Sequence, residues 1–272
     1  MSRPPDTEDH DRLAPVPALA SIVAVARFQL ARLLTPARLA LAALGVLFPV
    51  AVLAAAVKAS GSRLNTEVGA GMLYALVPEA VCMLGLLVTM SPVVADELER
   101  GTWVHVAVRP GGRRSLLLGT WLASVVWTAT VALLALGLAL ASDVVAKGSA
   151  MAGTFTALVL LSCVGRAALF ALPAVIVPKK ALVASVGVAI LVEYLAGLIP
   201  AVINQFTVSL RLRTLLVAWM GWQRQMPAEF SLLIDPHRPW WQVAAVLGMT
   251  VAFLAVACAI LEWRQFPPSE ES

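Results

Sequence analysis

From residue 116 to residue 142 the chain carries no charged side chain, and Leu, Val and Ala make up most of the run. As a helix it would be about 40 Å long at ~1.5 Å per residue, longer than the ~30 Å hydrocarbon core of a bilayer. In lipid every backbone polar group must be satisfied within the structure, which leaves a helix or a closed barrel. The run is continuously apolar rather than alternating, so the prediction is a membrane-spanning helix.

Five further runs follow the same logic. They cover residues 39–57, between Arg38 and Lys58; 72–95, interrupted by Glu79; 151–177, containing Arg166; 181–203, containing Glu193; and 240–261. Composition agrees: 60% of residues are apolar and 13% charged, against about a quarter charged in soluble proteins. The expected fold is all-α and integral to the membrane, with six transmembrane helices. Trp240, Trp241 and Trp263 bracket the last run, about 33 Å of helix apart, where indoles favour the headgroup level. Pro78, Pro92, Pro173 and Pro200 fall inside runs, which neighbouring helices of a bundle tolerate.

Residues 1–17 are acidic and proline-containing, so a disordered tail is expected there, and no cleavable signal. Residues 18–36 form an N-terminal elbow helix, 37–264 the six-helix domain and 265–272 a second tail. The helix reads as 18–35, stopped at Pro36, with Ile22, Val23, Phe28, Leu30, Leu33 and Leu34 interleaved with Arg27 and Arg32. It is either interfacial, lying along the inner leaflet, or an ordinary cytoplasmic helix. Six spans put both termini on one side. With that side cytoplasmic, inner segments hold twelve Lys and Arg and outer segments seven, four of them in the long loop 204–239. The positive-inside bias therefore predicts both termini in the cytoplasm, in the cell (inner) membrane. The long loop has an apolar core, residues 215–222, too short to span. It is expected to dip into the outer leaflet or to cap the bundle.

Several function classes are set aside by what the sequence lacks. It has no GxxxxGK[ST] phosphate loop, no HExxH and no GxSxG, so neither ATP hydrolysis nor protease chemistry is expected of this chain. Cys82, Cys163 and Cys258 lie in separate apolar runs and read as small buried hydrophobes. His10, His105 and His237 are too dispersed for one site, and no catalytic residue, metal or cofactor is expected. The net charge of +4 is spread between apolar runs, which gives no surface for nucleic acid.

Three charges do lie within spans. A mid-helix charge costs about 2.5–3.5 kcal/mol on insertion scales, so such groups face the bundle interior and find partners. Arg166 lies 13 residues before Lys179, and Glu193 lies 13 after Lys180. Both are then about 20 Å from one inner turn, and an antiparallel hairpin brings them to equal depth. An Arg166–Glu193 ion pair is expected, with Glu79, about one turn nearer the outside, as the competing partner. The pair either locks two helices or belongs to a substrate path or gate.

Residues 96–120 are a charged island. Asp96, Glu97 and Glu99 end the second run, Gly101 permits a sharp change of direction, and Thr102 is a candidate N-cap. Residues 103–108 make at most about two turns, with Trp103, Val104 and Val106 available as an apolar face. Pro110, Gly111 and Gly112 turn the chain back, and Arg113 and Arg114 suit anionic headgroups. This is either a short helix presented to the cytoplasm or an ordinary positive-inside connector.

The pattern of Glu97, Arg100, Gly101, Thr102, Pro110, Arg113, Arg114 and Gly119 resembles the ABC-2 type transporter permeases. The six-span layout, the N-terminal helix and the long loop before the last span are similar to that family too. Val104 and Thr120 depart from it, standing where an acid and a Lys are common, which alters the electrostatics of the docking surface. The resemblance implies the permease subunit of an ATP-binding cassette transporter, an exporter, paired with a second identical or homologous permease subunit within membrane lipids. It also implies a separate ATP-binding subunit, carrying the ATP and Mg. That subunit would dock on the loop 96–115 through Glu97, Glu99, Arg100, Gly101, Thr102, Trp103, Pro110 and Arg113. Two other classes stand beside this one. One is a membrane-embedded enzyme acting on lipid through Glu79, Arg166 or Glu193; the other is a passive anchor or scaffold.

Overall fold

The computed structural model describes residues 18–62, 64–109, 111–142, 151–195, 207–222 and 238–264. The tails 1–17 and 265–272, Pro110, and residues 196–206 with Pro200 lie outside these.

The chain opens with α1 (Ala18–Leu33) and α2 (Pro36–Ser60). Pro36 does more than stop α1. It is the first residue of α2, where its missing N–H is harmless, and it holds Thr35 extended at ψ 150°, as the residue before a proline prefers. The second run forms α3 (Thr66–Tyr74), a π-helical segment (Ala75–Val81) and α4 (Cys82–Met90). Pro92 lies within the span Thr66–Glu99, as expected, at the turn between α4 and the next helical segment.

Two short helices follow, α5 (Ala95–Glu99) and α6 (Trp103–Val108), before the long α7 (Gly112–Ala141). Gly101 and Gly111 take φ of 68° and 70° at the two corners, the left-handed region that glycine enters without a Cβ penalty. Then come α8 (Met151–Ile176), a 3-10 turn (Pro178–Lys180), α9 (Ala181–Val188) and a second π-helical segment (Ala189–Leu195). The last helices are α10 (Val208–Met220) and α11 (Pro239–Trp263).

Among the described residues there is no strand, and five helices are long and apolar enough to cross a membrane. They are Pro36–Ser60, Thr66–Glu99, Gly112–Ala141, Met151–Ile176 and Pro239–Trp263. The chain is thus a helical multi-pass membrane protein. The run expected over 181–203 is described only as far as Leu195, so it is not among the five.

The packing has a clear centre. The most apolar window of α8 is 72% buried, whereas those of α2 and α11 are 11% and 17% buried. α8 packs against α4, α7, α9, α10 and α11, and α1 lies along α7. Small residues let these backbones approach closely, as membrane helices do. Gly119 on α7 shows it: a Cβ there would stand 2.9 Å from the Ile22 carbonyl oxygen of α1.

The long loop departs from expectation. It contains a helix, α10, with Val208–Val217 largely buried against α8 and α11. Thr207 caps it by accepting from the Leu210 N–H at 3.3 Å, and Gly221 ends it at φ 73°. The reason is polar pairing: Arg211, which interrupts the apolar pattern, is buried with an Nη–Oε1 bond of 2.7 Å to Gln242.

Candidate functional site

Two charged groups organise the molecule, one inside the bundle and one at its edge. The inner group centres on Arg166 of α8, which is wholly buried. Its Nη2 donates to Glu79 Oε2 at 2.5 Å and its Nε to Glu193 Oε2 at 3.3 Å. Its Nη1 donates to the Pro78 carbonyl at 2.5 Å and to Ser162 Oγ at 2.8 Å, and Nη2 also reaches Ser209 Oγ at 2.8 Å. Arg166 therefore takes both candidate acids at once, rather than one in competition with the other.

Both acids stand in π-helical segments, and the local geometry explains what that does. In the first segment the Cys82 N–H bonds the Val77 and Glu79 carbonyls and skips Pro78. The Pro78 carbonyl is left for Arg166 and Ser162, the latter at 2.8 Å. Wide turns of this kind recur at functional positions in helices. Glu79 also accepts from the Tyr74 hydroxyl at 2.7 Å.

Glu193 has a second task. Its two oxygens accept the N–H groups of Val208 and Ser209, each at 3.0 Å, and Oε2 lies 2.7 Å from Ser209 Oγ. The carboxylate thus caps the N-terminus of α10, where free N–H groups and the helix dipole favour negative charge. This helix end therefore adds to Arg166 in holding the Glu193 side chain in place. The arrangement ties four segments together with its oxygens engaged. As acid–base machinery the group would have to give up those bonds first.

The thiols hold a smaller surprise. Cys82 and Cys163, distant in sequence, meet in the core with their sulfurs 3.6 Å apart. Among the described residues, no cluster of three or more His, Cys, Asp or Glu side chains is placed to hold a metal ion.

The outer group is the island. Arg32 of α1 donates from Nη1 to Glu97 Oε1 at 2.8 Å and from Nη2 to Asp96 Oδ2 at 3.4 Å. Glu97 Oε2 accepts from the Thr102 hydroxyl at 2.5 Å. Thr102 therefore does not cap α6 through its side chain, contrary to expectation; a buried carboxylate is the stronger acceptor. Trp103 is also turned inward, only 5% exposed, with the Arg113 guanidinium 5.7 Å from its ring centroid. Such a cation over an indole is attracted to the ring face. Arg113 Nη1 donates to the carbonyls of Leu261, Glu262 and Arg264 at 3.0–3.3 Å, capping the C-terminus of α11. Beside it, Arg114 pairs with Glu262 at the surface.

The expected docking residues thus separate into two sets. Glu99, Arg100, Gly101 and Thr102 are exposed; Glu97 and Trp103 are buried, and Arg113 is half-buried. Val104, available as an apolar face from the sequence, is exposed; sequence reasoning missed His105, Val108 and Arg109, which form the rest of the outward face, and Arg32 as the anchor of the loop. The last is a contact across 65 residues, and no local spacing announces it.

No protein-family model matches the chain, and no curated protein matches it.

Proposed function

We propose that this chain is the permease subunit of an ATP-binding cassette exporter of the ABC-2 type. In this reading it lies in the cell membrane with six spans, the sixth completed by the run 181–203, and both termini are cytoplasmic. It works with a second permease subunit, identical or homologous, and with a separate ATP-binding subunit that carries ATP and Mg.

The observation that carries the reading is the unit from α5 through Gly101 to α6. A helix of six residues is too short to be stable alone. It is fastened from within on both sides. Thr102, Glu97 and Arg32 tie it to α1, while Trp103 and Arg113 tie it to the end of α11. Its outward face presents Arg100, Val104, His105, Val108 and Arg109. A patch so mounted passes a push to the bundle rather than absorbing it, as rigid-body switching between inward- and outward-open states requires. The partner supplies the ATP chemistry; this chain's residues supply the contact and its attachments.

The reading is tested by co-purifying the chain with the ATP-binding subunit and measuring ATP hydrolysis with and without it. Val108→Asp on the exposed face should weaken co-purification while membrane insertion stays normal. Gly101→Val, forced against φ 68°, should leave the ATPase bound but no longer responsive. Unaltered binding and response in both variants would count against a docking role.

A further inference from the structure

One side of the bundle is not filled by protein. Between α2, α4 and α7 lies an apolar groove of about 310 Å³, within the size range of small-ligand sites. Leu41, Leu44, Phe48, Leu84, Val88 and Trp127 are among the apolar side chains that line it. It runs along α2 from Arg38 to Phe48, a rise of about 15 Å. That is half of a ~30 Å hydrocarbon core, the depth of one leaflet.

The groove has a polar end. At Arg38 and Thr89 it adjoins a chamber of about 20 Å³, lined also by Thr120, Ser124 and Asp96, room for one oxygen-sized group. Arg38 donates from Nη1 to the Arg32 carbonyl at 3.1 Å and forms no ion pair with an acid among the described residues. The hydroxyls of Thr120 and Ser124 are buried without a hydrogen-bond partner, as is that of Thr128 in the groove itself. These three stand four residues apart, so they share one face of α7. A buried polar group left unmade is costly, and the two at the chamber, Thr120 and Ser124, call for a ligand with polar atoms at that end.

We propose that this site holds one acyl chain of an anionic membrane lipid. The chain lies in the groove, the charged head meets Arg38, and an ester oxygen or its water meets Thr120 and Ser124. A second copy of this chain would need to bring both an apolar ridge and an acid at the same spacing. A lipid carries both already. The inference rests on the membrane-spanning helices and is independent of the transport reading.

The test uses the purified full chain in vesicles containing phosphatidylglycerol or phosphatidylcholine with a photoreactive diazirine on the acyl chain. Labelled peptides are mapped by mass spectrometry. Labelling is expected on residues 41–48 and 84–88, stronger with phosphatidylglycerol. Arg38→Gln should lower phosphatidylglycerol labelling about fivefold, the scale of one basic residue at an anionic surface, and leave phosphatidylcholine labelling unchanged. Gly45→Leu should abolish labelling by both lipids: a Cβ there meets Val131 and Val81 at 3.5 and 3.9 Å, so the side chain fills the groove without striking backbone. Ala42→Leu, from the neighbouring turn, serves if that variant loses its helical circular dichroism. Equal labelling by the two lipids, indifference to Arg38→Gln, labelling that survives the filled groove, or α2-to-α2 crosslinks between copies in its place would each overturn the proposal. No ATPase is present in this assay, so failure of the transport reading leaves its outcome untouched.

Discussion

Arg166 and Arg32 are built alike and do different work. Each arginine is bonded to two carboxylates, and hydroxyls donate to these as well: Tyr74 to Glu79 and Ser209 to Glu193 in the first, Thr102 to Glu97 in the second. Arg166 has no exposed side-chain surface, whereas Arg32 keeps 15% and its partner Asp96 30%. The inner group is completed by a helix end and a freed carbonyl, and it joins segments that would otherwise slide. The outer group is completed at the edge of the bundle, where water can reach it. Burial separates them: the first is sealed in the core, the second is partly open to solvent.

Removing each arginine in turn tests that contrast. Arg166→Met strands Glu79 and Glu193 in the core and should destabilise the protein by about 3–5 kcal/mol, read by denaturant unfolding in detergent. A loss no larger than that of Arg32→Gln would erase the distinction. Ser209→Ala removes a hydroxyl shared by Arg166 and Glu193 and should cost ~1–3 kcal/mol, with the α10 region losing hydrogen-exchange protection first. Arg32→Gln should cost about 1–2 kcal/mol, with a salt dependence that the Arg166 variant lacks. Arg114→Gln, at an exposed pair with Glu262, should leave the unfolding midpoint where it was.

How far the sequence anticipates this depends on the physics at each position. The apolar runs delimit helices well because a bilayer demands a fixed length: 151–177 is observed as Met151–Ile176. Spacing from a shared turn puts Arg166 and Glu193 at one depth because the helical rise is constant, and they are bonded. The π-helical segments are not legible, since a widened turn has no residue signature, yet they aim both acids. α10 reads as a loop because Arg211 and Arg213 interrupt its apolar pattern, whereas the pairing of Arg211 with Gln242 and the Glu193 cap support a buried helix. In α6 the six residues give too few turns to define a face, so Trp103 reads as outward when it is the inward anchor. Thr102 reads as a cap because its position fits one; a carboxylate five residues back claims the hydroxyl instead.

The docking role of the island is most directly tested by placing a photocrosslinking residue at Val104, Val108 or Trp103 in native membranes and identifying what is captured. The account predicts a covalent adduct with a subunit that carries a GxxxxGK[ST] phosphate loop from Val104 and Val108, and none from the buried Trp103. Adducts from Val104 and Val108 that contain only lipid, or no such subunit, would contradict it.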